Sequence, residues 1–312
     1  MRELDMYEET VEEFPVSESE MEGEYRRENQ LLRRARSSFR SNKGAWLGLT
    51  LMGLVVFTAV FAPVLAPYDP YEQVLTRSLR PPVWSGGSLE HILGTDHLGR
   101  DVLSRVIYGS RISLGVGLGA CLLAGTLGTL LGLISGYFGG RVDDVVMRIA
   151  DVQLAFPFIL LATVVMFVLG SGLRNVIIVL GVTGWVRYGR VVRGEVLAMR
   201  RKDFVEAATA VGCSNTRTIS RHVFPNVVSS VIVMATLEVA RVIIAEASLT
   251  FLGLGVDPRI PTWGSMLADG RQYLAGHPWI ATYAGLAIML TVLGINLLGD
   301  WLRDTFDPRM AP

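Results

Sequence analysis

Six stretches of this chain are long and apolar enough to be read as membrane-crossing helices, and no other feature limits its fold so strongly. They run over Ala45–Leu65, Ile112–Tyr137, Ile149–Leu169, Val176–Val192, Val227–Phe251 and Ile280–Leu298. About twenty apolar residues carry a helix across a bilayer core, and a helix satisfies its own backbone hydrogen bonds where water is absent. The expected fold is therefore an all-α, polytopic membrane protein with six transmembrane helices. The fourth stretch is the weakest, because Arg187 and Arg190 interrupt its end, although such side chains can snorkel toward an interface. Composition agrees: half of the residues are hydrophobic and only 19% are charged, against about 25% in soluble domains.

Charge placement sets the expected direction of the spans. Residues 1–25 hold ten acids and one base, and read as a solvated tail. Residues 26–43 hold seven bases and one acid, and read as a cytoplasmic anchor beside the first apolar run. Arg141, Arg148, the Arg187–Arg221 region, Arg303 and Arg309 fall on the same side, so both termini are expected in the cytoplasm. Loop 66–111 is an exception, with Arg77, Arg80, Arg100, Arg105 and Arg111 on the other side. The first apolar run begins near Trp46, so no cleavable signal peptide is expected. The formal net charge of +0 argues against a nucleic-acid partner. Cys121 and Cys213 lie at different depths and read as packing residues, with no disulfide framework.

The polar connector at 202–226 has its own internal logic. Asp203 and Glu206 have capping-box spacing. Ala207, Ala208 and Ala210 are strong helix formers, and Gly212 suits the left-handed residue that closes a short helix. Ser214 can cap a second helix carrying Arg217 and Arg221, which Pro225 is expected to stop. The prediction is a helix, a glycine turn and a second helix, standing out from the membrane as a knob. Both ends are tethered to spans, which disfavours a DNA-reading helix-turn-helix.

Other residues invite a chemical reading. Asp151, Glu238, Arg241 and Glu246 fall in or beside spans, where a charge costs roughly 2.5–3.5 kcal/mol at mid-bilayer. Glu238 and Arg241 are three apart and can pair on one helix face. That pair reads as structural, with a place on a translocation path as the alternative. Interhelical hydrogen bonding is the plain reading for Glu246 and Asp151, with a place on a translocation path or in an intramembrane ion pair as the alternative for Glu246. Gly115, Gly117, Gly119, Gly125, Gly128 and Gly132 allow close helix approach. Gly94-Thr95-Asp96 reads as a turn and Asp101 as a helix-start residue. A metal site built from Asp96, His97 and Asp101 is the less favoured alternative. Trp263 and Trp279 suit an interface, and His277 reads as a surface histidine.

Glu206, Ala207, Ala208, Gly212, Ile219, Pro225 and Asn226 stand where the cytoplasmic "EAA" loop of permease subunits in ATP-binding-cassette (ABC) importers has its pattern. The chain resembles that family over about residues 45–309. Leu93–Arg105 (LGTDHLGRDVLSR), Ala245–Gly255 (AEASLTFLGLG) and Asn296–Asp304 (NLLGDWLRD) resemble its dipeptide/oligopeptide branch, most of all the "C" permease. Thr250 replaces the more usual Ser.

The resemblance implies a type I ABC importer transmembrane fold. It also implies a division into a cytoplasmic tail (1–43), a first helix with its extracytoplasmic loop (44–107), a permease core (108–300) with coupling loop 202–226, and a C-terminal tail (301–312). The implied partners are a homologous second permease, two cytosolic ABC ATPase subunits, an extracytoplasmic substrate-binding protein and membrane lipid. The implied task is to form half of a translocation path for short peptides and to couple it to the ATPases. Related permeases carry nickel chelates, glutathione or other small solutes. The sequence lacks the phosphate loop G-x-x-x-x-G-K-[ST], so ATP-Mg is expected on the ATPases and no cofactor, metal or catalytic residue on this chain. H-E-x-x-H and G-x-S-x-G are absent too, which disfavours an intramembrane protease. A secondary transporter or channel would leave the coupling loop unexplained.

Overall fold

Proline and glycine decide where the apolar runs become separate helices. The structure, a computed structural model, describes residues 38–40 and 42–306. Its long elements are α1 (Lys43–Val60), the short α2 (Ala62–Leu65), α3 (Val102–Phe138), α4 (Gly140–Leu154), α5 (Phe158–Leu169) and α6 (Leu173–Met199). They continue with α7 (Asp203–Ala210), α8 (Asn215–Thr218), α9 (Phe224–Phe251), α10 (Trp263–Gly270) and α11 (Trp279–Phe306). The described residues contain no β-strand, only an isolated bridge between Thr95 and Asp101. From Gly44 onward the described residues form one compact unit. The acidic and basic tail expectations lie almost wholly outside the described residues, as does Arg309.

Four helical stretches are long and apolar enough to cross a membrane, Lys43–Val60, Val102–Phe138, Asn215–Phe251 and Trp279–Thr305, and a bent pair makes a fifth. The third expected span, Ile149–Leu169, is not one helix. It is α4 and α5, bent by 90° at Ala155–Pro157. Pro157 has no N–H for the helix ladder and pushes the preceding residue out of the helical region. The fourth expected span lies within α6, which has the length (about 40 Å at 1.5 Å per residue). It carries Arg174, Arg187, Arg190, Arg193 and Glu195, and is not among the stretches apolar enough to cross.

The core is built on α3. It packs against α6 along most of both helices, and α9 packs against α3, α6, α10 and α11. Gly128 and Gly132 make the α3–α6 approach possible. A Cβ at Gly132 would lie 2.7 Å from the Gly189 carbonyl oxygen and 2.8 Å from Val192 Cβ. Gly115, by contrast, faces open space and Gly119 and Gly125 are in ordinary contact, so only part of the glycine pattern serves helix approach. α1 rests on α11 where Gly48 meets Gly294.

Candidate functional site

The connector 202–226 forms an elbow whose shape is fixed by backbone demands. α7 begins one residue earlier than a capping box would require. Lys202 is its N-cap, without a side-chain cap bond, and Asp203 and Glu206 lie in the first turn. The expected capping box is therefore absent, although both acids sit where the helix dipole favours them. At the other end Gly212 has φ +88°. Its N–H donates to the Thr209 carbonyl and the Cys213 N–H donates to the Ala208 carbonyl, both at 3.0 Å. Those two bonds are a Schellman closure. Ser214 then accepts from the Arg217 N–H at 3.4 Å and caps α8.

Pro225 does not stop the second helix. Asn215–Phe251 is continuous through a π-turn at Ile219–Val223, where the Phe224 N–H reaches the Ile219 carbonyl. The wide turn makes room for the proline ring, and the Asn226 side-chain amide donates to the His222 carbonyl at 2.7 Å. Pro225 and Asn226 thus work together on the backbone. At about 55 Å for 37 residues, this helix is longer than the roughly 30 Å hydrocarbon core.

Val205, Val223 and Val227 are buried with Leu133 and Tyr137 of α3 and Val192 and Val196 of α6, with Ile219 packed on their edge. The elbow is therefore seated on the helix core. Its other face is open: Glu206, Ala207, Gly212, Pro225 and Asn226 are exposed and Ala208 is half-buried. Phe204 and Val211 expose apolar surface. Glu206 borders a groove of about 480 Å³ lined also by Tyr137, Phe138, Arg200, Thr209 and Asn215. Its carboxylate makes no hydrogen bond or ion pair within the described chain.

The second group of charges lies between α4, α6 and α9. Arg193 pairs bidentately with Asp143, and Arg190 pairs with Asp151, each at 2.5 Å. Glu238, 8% exposed, has Arg241 Nη1 3.5 Å from both oxygens and Arg187 Nη1 at 3.7 Å. The expected Glu238–Arg241 pair is present, and Arg187 joins it from α6. Fully buried Glu246 accepts from Thr250 Oγ1 at 2.9 Å, a bond any hydroxyl residue at 250 could make. It lies beside Gly264 at the start of α10.

A family model described as "Binding-protein-dependent transport system inner membrane component" matches residues 128–312. The chain belongs to this family. A second model, the N-terminal TM domain of oligopeptide transport permease C, matches residues 30–82. A di/tripeptide transport system permease protein of Pseudomonas aeruginosa is 44% identical over 88% of this chain and 90% of its own length. An oligopeptide transport system permease protein of Bacillus subtilis is 40% identical over 87% and 88%. A glutathione transport system permease protein of Escherichia coli is 43% identical over the same shares. These matches place the chain among ABC importer permeases of the dipeptide/oligopeptide branch.

In this permease the motif Leu93–Arg105 builds a buried ionic knot. Asp96 Oδ2 receives Arg100 Nε at 2.6 Å and Arg105 Nη1, while its Oδ1 receives the N–H groups of Leu98 and Arg100. Both guanidiniums also reach Asp269 on α10, at 2.8 and 3.2 Å. Burial opposes ionisation of Asp96, but Arg105 and Arg100 outweigh it and hold its carboxyl below the ordinary range. Asp101 is the N-cap of α3, as expected, and also pairs with His91 at 3.0 Å. The trio Asp96, His97 and Asp101 is therefore not assembled as a metal site. Asp96, His97 and Asp269 do lie close together, but two guanidiniums already stand where a cation would.

Trp263 is no interface anchor. It is buried under α3, its Nε1 donating to the Val106 carbonyl at 3.1 Å. Trp279 is half-buried, bonded to the Thr95 carbonyl, and His277 packs edge-on against it. The arginine partners of Asp143 and Asp151, and Arg187 as a second partner of Glu238, went unrecognised in the sequence. The only signal was the i, i+3, i+6 spacing of Arg187, Arg190 and Arg193 in an otherwise apolar stretch.

Proposed function

We propose that this permease forms half of the translocation path of an ATP-driven importer of short peptides, and that the elbow 202–226 is its coupling surface. In this reading the chain crosses the membrane six times, with α4–α5 as a bent span and α6 as the charged one, and both termini are cytoplasmic. A related second permease completes the path. Two ATPase subunits carry the ATP-Mg and dock on Glu206, Ala207, Ala208, Gly212, Ile219, Pro225 and Asn226, while a binding protein delivers solute on the opposite side. The chain itself catalyses nothing and holds no cofactor.

The observation that carries the reading is the elbow's two-sidedness. One face is locked into the α3–α6 core through Val205, Val223 and Val227, and the other exposes polar and apolar groups whose charged members, Glu206 among them, make no ion pair within the described residues. Such an element moves with the helices it is seated on. The same architecture importing glutathione is a second reading, favoured by the glutathione-system relative.

The test is uptake of a labelled tripeptide into vesicles, combined with labelling of single cysteines by an impermeant thiol reagent. The complete complex should show ATP-dependent uptake, and this chain alone none. A cysteine at exposed Ser88 should react from outside, and one at exposed Ser214 only after permeabilisation. Uptake by the single chain, or the opposite labelling, contradicts the proposal.

A further inference from the structure

The charges between α4, α6 and α9 are unevenly matched. Arg190 and Arg193 each have one carboxylate of their own, at 2.5 Å. Arg187 and Arg241 share the single carboxylate of Glu238, at 3.7 and 3.5 Å. Those distances exceed the roughly 2.7–2.9 Å of a charge-assisted hydrogen bond. The trio therefore carries one positive charge more than it neutralises, and most of the two guanidiniums' donors stay unused. Their side chains are 49% and 33% exposed, whereas the Glu238 side chain is 11% exposed. Glu238 stands at the middle of α9, and Cys121, hydrogen-bonded to Tyr188 near the same carboxylate, stands near the middle of α3. In the six-span reading above, these mid-helix positions fall at mid-bilayer depth, where unneutralised charge is costly and marks a path or a partner.

The surroundings suit a transient guest. Arg187 and Arg241 border a cavity of about 50 Å³ at the α4–α5 bend, beside Gln153, Thr183 and Phe158. The Arg241 guanidinium lies over the Phe158 ring, 5.4 Å from its centroid, which holds its plane without using its N–H donors. Gln153 is fixed by bonds to the Thr183 carbonyl and from Trp185 Nε1. A planar guanidinium fork is matched to a carboxylate.

We propose that Arg187 and Arg241 form a mid-membrane station for the carboxylate of the transported solute, the C-terminal group of a short peptide. Glu238 holds the two guanidiniums apart and leaves them one charge short of neutral, so the solute's carboxylate completes the set and then leaves. The proposal rests on the importer reading above. Its specific content is that the solute's carboxylate, rather than a carboxylate of the second permease, is the guest.

The experiment uses the assembled importer with its binding protein and compares uptake of trialanine with trialanine amide, for the wild type and for Arg241→Gln and Arg187→Gln. Any preference of the binding protein is the same for all three and cancels when the trialanine-to-amide ratios are compared. Each variant should lower that ratio by about tenfold, the size of one charge-assisted bond, with stimulated ATPase activity retained. A fall in both uptakes with an unchanged ratio would show a structural ion pair or a subunit contact and overturn the proposal. Unchanged uptake of both probes overturns it as well. If Arg241→Gln does not assemble, Arg187→Gln decides by the same ratio. Absence of ATP-dependent uptake in the wild type would instead count against the importer reading itself.

Discussion

The 91–105 module and the 202–226 elbow both connect long helices, yet they are built in opposite ways. In the module, Asp96, Arg100 and Arg105 are almost fully buried and tied to Asp269 on α10, with Asp101 and His91 paired alongside. Every carboxylate there has its partner within the chain. The elbow holds its shape with backbone bonds, the Ser214 cap and the Asn226 amide, and its charged side chains make no ion pairs within the described residues. A segment with internally satisfied charges is a brace, and one whose charges are left open is a surface for something else. The contrast predicts that mutations in the module act on stability and mutations in the elbow act on coupling.

The contrast breaks most visibly at Asp96. Asp96→Ala leaves two buried guanidiniums short of a partner, a loss of about 3–5 kcal/mol, and should lower the melting temperature in detergent. Because the Asp96 carboxyl is held below its ordinary value of 3.8, its ionised form is favoured by folding. Its contribution is complete above that pH and is lost as pH falls beneath it. Wild-type melting should therefore drop on acidification below about pH 4, with this component missing from Asp96→Ala. A melting temperature unchanged by the substitution at neutral pH would remove the brace from the account.

A smaller effect sharpens the other side. Ser214→Ala removes a cap whose bond is long, 3.4 Å, so the loss should be about 0.5–1 kcal/mol, toward the low end for caps. It should appear as faster amide exchange over 215–218 with no change in global melting. A lowered melting temperature would mean that the elbow is part of the brace.

What the sequence made legible follows the range of the interactions. Gly212, Ser214 and Asp101 were readable because their tasks are local: a positive φ and two helix starts. Pro225 was misread because the rule that proline ends helices is also local, and here a π-turn and the Asn226 amide absorb it. Pro157 did announce the bend after α4, but the apolar count across 149–169 hid it. Arg187 finding Glu238 and Trp263 finding the Val106 carbonyl needed the packing of distant helices, which spacing does not encode.

The central claim is that the elbow transmits force without holding the fold together, and Gly212 tests it most directly. Its φ of +88° strains any β-branched residue, yet a Cβ there would meet open space, so the cost is confined to the backbone, about 1–3 kcal/mol. In the assembled complex, Gly212→Val should keep the wild-type melting temperature and membrane level. It should also lose peptide uptake while ATP hydrolysis runs free of it, or else release the ATPase subunits. Wild-type uptake, ATPase stimulation and subunit copurification, all three together, would contradict the account and make the elbow a passive connector.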